Sequence, residues 1–169
     1  MTQEELNALV DQALSVGKKT TAHAHGTEGA ERAIRAGIKS IEHGSFPDEE
    51  ALRLMVEKGT YYVPTLTAAE GFKERISGGP PDPRVVRKGK LALAAIDRPV
   101  RRAMAAGVKI AVGTEAGVDP HGRNAGEFRL LVEHRMTPKA ALRATTSVTA
   151  GRGNRGRWHG ERCRCALRE

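Results

Sequence analysis

The sequence predicts an α/β domain in which helices alternate with parallel strands. Three observations predict it: helical segments end in a glycine, a short apolar run follows each glycine, and a polar turn closes each run. The four glycines are Gly17, Gly37, Gly59 and Gly107. Glycine suits the left-handed backbone just past a helix end. A helix between two strands provides the crossover that parallel strands require, so one α/β domain is expected from 169 residues.

The helical segments carry recognisable end signals. In TQEELNALVDQALSVG the apolar residues follow the helical period, and Thr2 with Glu5 forms a capping box. TEGAERAIRAG is predicted as a short helix capped by Thr27. PDEEALRLMVEKG has Pro47 in its first turn, acids beside it, and Lys58 at its end, as the helix dipole favours.

The strands are predicted in KKTTAHAHG, IKSIEHG, TYYVPTL and VKIAVGTEAG, and a longer insert separates the last two. Within this insert ISGGPPDP is predicted as a loop, and VVRKGKLALAAIDRPVRRAMAAG as helix interrupted near Pro99. After the fourth strand we expect a polar loop, VDPHGRN. A helix then runs from about Ala125 to His134, and another opens at Thr137-Pro138 and runs to about Thr145.

Composition and charge argue against a protein that binds nucleic acid and against one that spans a membrane. Aromatic residues form 4% of the chain, which argues against a protein that stacks bases on exposed rings. Half of the net charge of +8 lies in residues 151–169, so the body is only mildly basic. No apolar run approaches the roughly 20 residues of a membrane span, and the amino terminus lacks a signal-peptide pattern. We therefore expect a cytoplasmic protein.

Three of the four strand ends carry metal-ligand chemistry. The first strand ends with His23 and His25, the second with His43, and the fourth with Glu115, whereas the third ends with Pro64-Thr65. Because alternate strand residues share a face, His23 and His25 point to the same side. A lone histidine near a turn is commonly just a polar residue. Repetition at the end where parallel α/β domains bind ligands instead predicts a shared site for zinc or another divalent ion.

The motifs AHAHG, SIEHG and GTEAG, with the intervening sequence and HGRNAGEFRLLVEHRMTPKAALRATT, resemble the second half of a metal-dependent amidohydrolase. Within that superfamily the chain is similar to imidazolonepropionase-like proteins and to Xaa-Pro and Xaa-Arg dipeptidases. The resemblance covers residues 1–149. It implies a partial (β/α)8 TIM-type barrel of about four βα units, corresponding to strands 5–8, with a divalent metal, preferably zinc.

The resemblance also implies roles for the residues at the strand ends. His23 would be the metal ligand of the fifth strand, with His25 as the alternative, and His43 would be the ligand of the sixth. The eighth strand of the family ends in GTDAG, whose aspartate contacts the metal and takes a proton from the attacking water. Glu115 occupies that position here, with one extra methylene. It is expected to act as catalytic base and ligand.

Other residues are expected to contact substrate. His121 and Asn124 resemble a loop that lines the substrate entrance, although a plain polar turn is the alternative. Tyr61 or Tyr62 is a further candidate for a substrate contact, with simple packing as the alternative.

The expected reaction is hydrolysis of a C–N bond in an amide, dipeptide or cyclic amide by metal-activated water. The chain lacks the His-x-His pair of the family's first strand and the bridging lysine of its fourth. We therefore expect impaired activity, a homo-oligomer, or association with a separate amino-terminal half. The alternative is a non-catalytic remnant or association module. Residues 150–169 are rich in arginine and glycine, and we expect a disordered or frameshifted tail there, with a nucleic-acid-binding arm as the alternative.

Overall fold

Four parallel strands form one sheet in a computed structural model that describes residues 1–77, 82–95 and 97–152. Neighbours in sequence are neighbours in the sheet, in the order β1-β2-β3-β4, with every pair parallel. The strands are β1 (Thr21–Ala24), β2 (Ser40–His43), β3 (Tyr61–Val63) and β4 (Lys109–Ile110). The predicted α/β class with parallel strands is confirmed.

One helix precedes the first strand, and further helices connect the strands and follow the last of them. They are α1 (Gln3–Ser15), α2 (Thr27–Ala36), α3 (Glu49–Lys58), α4 (Leu66–Ser77), α5 (Pro83–Ala95), α6 (Asp97–Ala105), α7 (Gly126–Glu133), α8 (Pro138–Arg143) and α9 (Thr149–Arg152), with a π-helical turn at Ala144–Val148 before α9. Within the described ranges none of these helices has the length and apolarity to cross a membrane.

Most of the predicted helix ends are confirmed. The hydroxyl of Thr2 accepts from the amide of Glu5, whose carboxylate accepts from the Thr2 amide, so the capping box is present. Thr137 caps α8 by accepting from the amide of Ala140. The four glycines after α1, α2, α3 and α6 all have positive φ, between 65° and 96°. Local sequence alone therefore fixes these boundaries.

Two predicted helix starts are wrong. Gly26, and not Thr27, is the N-cap of α2; the Thr27 hydroxyl donates to the carbonyl of Phe46 at 2.6 Å, so a tertiary contact replaces the local cap. Pro47 lies outside α3, because Asp48 is its N-cap and accepts from the amide of Ala51 at 2.8 Å.

The insert between β3 and β4 is more helical than its sequence suggests. α4, which the sequence analysis does not predict, extends to Ser77, and α5 already begins at Pro83, so both flanks of the predicted ISGGPPDP loop are helical. Residues 78–81 lie outside the described ranges. The break predicted near Pro99 is wrong, because α6 runs through this residue from Asp97 to Ala105; residue 96 lies outside the described ranges. Of the predicted tail, residues 150–169, the first three belong to α9, and residues 153–169 lie outside the described ranges.

The helices pack against one face of the sheet. Ile41 and Tyr62 are paired in register and almost fully buried, and Ile110 continues their row on β4. α2 and α3 contribute Ile34 and Leu52 to the same core. The opposite face carries polar side chains. There Thr21 and Ser40 both donate hydroxyl hydrogen bonds to Glu42, at 2.6 and 2.7 Å.

A buried carboxylate joins α7 to the start of α4. Glu127 is fully buried, and its two oxygens accept from the amides of Leu66 and Thr67 at 2.7 and 2.9 Å. These are free first-turn donors of α4, which lack partners within their own helix. Burial raises the pKa of Glu127, and the two amide hydrogen bonds oppose that rise. Glu127 therefore fixes the position of α4 against α7.

Replacing Glu127 with alanine should destabilise the fold by about 1–3 kcal/mol, because two buried amides lose their acceptors. Urea unfolding followed by circular dichroism measures the change. Glu133→Ala is the control: this exposed residue on the same helix pairs with Arg129 and should cost less than about 1 kcal/mol. Equal effects of the two substitutions would show that Glu127 does not hold α4.

Candidate metal centre

Three potential metal ligands converge at the carboxyl edge of the sheet. His23 lies on β1, His43 ends β2, and Glu115 follows β4. One donor atom from each lies within 4.8 Å of the other two. His23 Nδ1 is 2.7 Å from His43 Nε2, and Glu115 Oε2 is 3.9 Å from His43 Nδ1. His43 is buried, His23 is exposed and Glu115 is half-exposed, so the group opens to solvent on one side.

A left-handed backbone turns His43 toward this group. Strict alternation would place His43 on the face of Ile41, among the helices, because the two residues are two apart. His43 instead has φ of 70°, and its ring contacts His23 on the opposite face. A non-glycine residue in this conformation costs about 1 kcal/mol or more, so the surrounding structure must enforce it.

Gly44 allows the chain to continue from this turn. It also has positive φ, 48°, and a Cβ there would lie 2.6 Å from Cε2 of Tyr62. The Tyr62 hydroxyl donates to the Gly44 carbonyl at 3.0 Å. The tyrosine therefore packs on and hydrogen-bonds the segment that presents His43, which leaves no space for a side chain at Gly44.

Thr65 determines which nitrogen of His43 carries a proton. The Thr65 hydroxyl has one proton, and it donates this proton to the Pro64 carbonyl at 2.8 Å. It must then accept from His43 Nδ1, which lies 2.8 Å away. His43 is consequently protonated on Nδ1, and the lone pair on its Nε2 accepts from Nδ1 of His23, 2.7 Å away. A hydrogen bond like the one from Nδ1 to Thr65 orients most metal-binding histidines.

The surroundings keep His43 neutral. Burial lowers the pKa of His43, and the nearby imidazoles of His25 and His23 lower it further, whereas Glu115 opposes the shift. A neutral imidazole is the form that binds a metal ion.

His25 belongs to the same cluster but makes different contacts. Its ring stacks on that of His43, with centroids 4.8 Å apart and planes within 4°. Its Nδ1 lies 2.9 Å from the hydroxyl of Ser45. His23 and His25 thus both lie against His43, on the shared side expected from their spacing. Sequence reasoning missed the roles of Ser45 and Thr65; a hydroxyl directly after a strand-end motif was the available signal.

A cavity of about 180 Å³ lies beside the cluster. Its polar end is formed by His25, His43, Ser45, Thr65 and Glu115. The rest of its wall comes from α4, α5 and the segment after β4. His43 and Glu115 therefore stand at one end of a half-open cavity, and His23 does not line it.

The other predicted substrate residues lie elsewhere. His121 and Asn124 are exposed in the loop before α7, and neither lines this cavity. Tyr61 is at the amino-terminal start of β3, where the ammonium groups of Lys39 and Lys109 lie over its ring. These three residues contribute no described contact to the histidine cluster.

Comparisons with known proteins place the chain in a family. A crystal structure of a Xaa-Pro dipeptidase with bound methionine in the active site is 46% identical, with a TM-score of 0.80 over 89% of this chain and 37% of that one. A prolidase complexed with N-methylphosphonate-L-proline is 31% identical, with a TM-score of 0.81 over 89% and 37%. Ochratoxinase of Aspergillus niger is 38% identical over 149 residues, 85% of this chain.

The chain spans only part of these relatives, namely 30% of the ochratoxinase and 37% of each of the two structures. Residues 1–152 match the sequence profile of the amidohydrolase family. Together with the parallel α/β sheet, this match shows that the chain belongs to the amidohydrolase family.

Proposed function

We propose that the chain carries the metal-binding half of a hydrolase that cleaves C–N bonds in amides, dipeptides or cyclic amides. The convergence of His23, His43 and Glu115 within 4.8 Å at the carboxyl edge of the sheet carries this proposal. Relatives named as a Xaa-Pro dipeptidase, a prolidase and an ochratoxinase support a small-molecule or dipeptide substrate.

The donor set fits a divalent metal, and zinc in particular. Two imidazoles and one carboxylate are a common ligand set of catalytic zinc sites. Two nitrogens on one tetrahedral zinc lie about 3.3 Å apart, since each bond is about 2.0–2.1 Å. The observed 2.7 Å between His23 Nδ1 and His43 Nε2 is a hydrogen-bond distance, so the two rings would have to separate by about 0.6 Å to share a zinc ion. His43 offers its lone pair directly, and His23 offers Nδ1 once its proton has moved to Nε2.

A bound zinc ion would polarise the substrate carbonyl and lower the pKa of a water molecule. Glu115 is the group placed to accept the proton of that water, since its half-exposed carboxylate lies beside His43 and lines the cavity. Glu115 would hold this proton while the water oxygen adds to the carbonyl carbon, and would pass it to the departing nitrogen as the C–N bond breaks. His25 contacts His43 from the cavity side and is the alternative ligand.

The four strands are proposed to correspond to strands 5–8 of a (β/α)8 barrel, in a domain spanning residues 1–149. Within the described residues β1 and β4 each pair with a single neighbouring strand. Open strand edges favour pairing with another chain. Further strands, from an amino-terminal half or from a second copy of the chain, would therefore complete the wall.

A non-catalytic remnant is the second candidate, favoured by Glu115 at a position where aspartate is expected. One extra methylene displaces the carboxylate by more than about 1 Å, an error that costs on the order of a hundredfold in rate. Metal binding and hydrolysis therefore have to be measured separately.

The purified chain should retain about one zinc ion per molecule, measured by inductively coupled plasma mass spectrometry, and His43→Ala should lose it. His134→Ala, which changes a histidine at the end of α7, is the matched control and should keep the metal. Zinc retention without hydrolysis of Xaa-Pro dipeptides would support the remnant. Equal zinc content in His43→Ala and the wild type would contradict the proposed site.

Thr65→Val should weaken zinc binding by about 10–100-fold, because His43 loses the hydroxyl that holds its proton on Nδ1. The substitution keeps the shape and branching of the side chain. Thr65→Ser, which retains the hydroxyl, should bind nearly as tightly as the wild type. Competition with a fluorescent chelator measures the zinc affinities. Equal zinc affinities of the two variants would show that the Thr65 hydroxyl does not orient His43.

Glu115→Asp should raise kcat, by up to about a hundredfold, if the extra methylene is what misplaces the base. Glu115→Gln should lower it by about a hundredfold or more, because the amide cannot accept the proton. Steady-state hydrolysis of a Xaa-Pro dipeptide gives both values. A glutamine variant as active as the wild type would show that Glu115 is not the base.

A further inference from the structure

We propose that the cavity beside the histidine cluster binds a neutral apolar group of the substrate, up to the size of a phenyl ring, and that Gly89 sets this limit. The inference deepens the proposed function, because it names the substrate group that lies next to the scissile bond. Binding tests it independently of hydrolysis.

The composition of the wall defines the chemistry of the occupant. Away from the polar end the cavity is lined by Pro64, Ala68, Ala69, Phe72, Leu93 and Val118, together with Gly89. None of the described lining residues is a lysine or arginine, and the acid among them, Glu115, lies at the polar end. A charged group in the apolar part would lose its hydration without gaining a partner. The occupant is therefore uncharged and apolar.

The volume of the cavity limits the size of the occupant. Its volume is about 180 Å³, and an apolar protein cavity of about 150 Å³ is sufficient to bind benzene. A phenyl ring or a branched aliphatic side chain therefore fills it. Such a group extends from a carbonyl placed beside His43 and Glu115, which line the polar end of the same cavity.

Gly89 lets the two helices of the wall approach closely. A Cβ at this position on α5 would lie 1.9 Å from Cζ of Phe72 on α4, far inside van der Waals contact. The ring of Phe72 lines the cavity. Any side chain at Gly89 must therefore displace this ring, and its displacement changes the space available to the occupant.

Gly29 provides a matched control. It lies inside α2, as Gly89 lies inside α5, and a Cβ there meets no atom within 4 Å. Alanine favours a helix over glycine at both positions, so neither substitution weakens its own helix. Only Gly89→Ala requires a side chain of the cavity wall to move.

The experiment compares N-acetyl-phenylalanine amide with N-acetyl-glycine amide as ligands of the whole chain, by titration in two-dimensional amide NMR. The wild type should bind the phenylalanine compound about tenfold more tightly, because its ring is removed from water. The largest shifts should occur at Ala68, Ala69 and Val118. Gly89→Ala should reduce the preference to near unity, and Gly29→Ala should leave it unchanged.

Phe72→Ala separates displacement of the ring from loss of fold. In a Phe72→Ala background, Gly89→Ala should no longer change the preference, since the ring it displaces is absent. Equal binding of the two amides by the wild type would overturn the inference, as would an unaltered preference in Gly89→Ala. A clear preference without zinc-dependent hydrolysis would reject the proposed function and leave this inference standing. Zinc-dependent hydrolysis without a binding preference for the phenylalanine compound would overturn this inference and leave the proposed function standing.

Discussion

The parallel pairing of four successive strands is the constraint on which the candidate site depends. Because every strand runs in the same direction, side chains that are distant in sequence meet at one edge. Pairing alone would still leave His43 among the helices, and its left-handed backbone turns the ring to the other face. Gly44 and Tyr62 enforce that turn by close packing and a hydrogen bond. The strain at one residue is thus maintained by the core beneath it.

The hydrogen bonds around His43 link the candidate metal-binding atoms to the cavity wall. Thr65 accepts from His43 and directly precedes α4, whose first amides are held by Glu127. The same short segment therefore orients a candidate ligand and positions the helix that carries Phe72. A shift in the position of α4 would therefore change both the orientation of His43 and the shape of the apolar part of the cavity. This coupling gives a structural role to Glu127, which lies outside the cluster itself.

Much of the fold was predictable because its signals are local. A helix end requires only a capping side chain or a glycine within a few residues, so the Thr2–Glu5 box and the glycine stops were read correctly. The failures had tertiary causes. Thr27 donates to Phe46 and so does not cap its own helix. α4 begins where Glu127, sixty residues away, supplies acceptors that no local pattern reveals.

The sequence by itself determined the α/β class, the family and the order of strands and helices around the candidate site, since periodicity, glycine spacing and short motifs are properties of neighbouring residues. It did not determine where the strands end, because only His43 ends its strand as predicted and β4 stops at Ile110, well before Glu115. The roles assigned to His23, His25, His43 and Glu115 stay predictions, although the structure brings these residues together. Only the tertiary structure decided the proton position on His43, the stacking of His25 and the contact between Gly89 and Phe72. Each of these depends on distances across the fold, which a linear pattern does not contain.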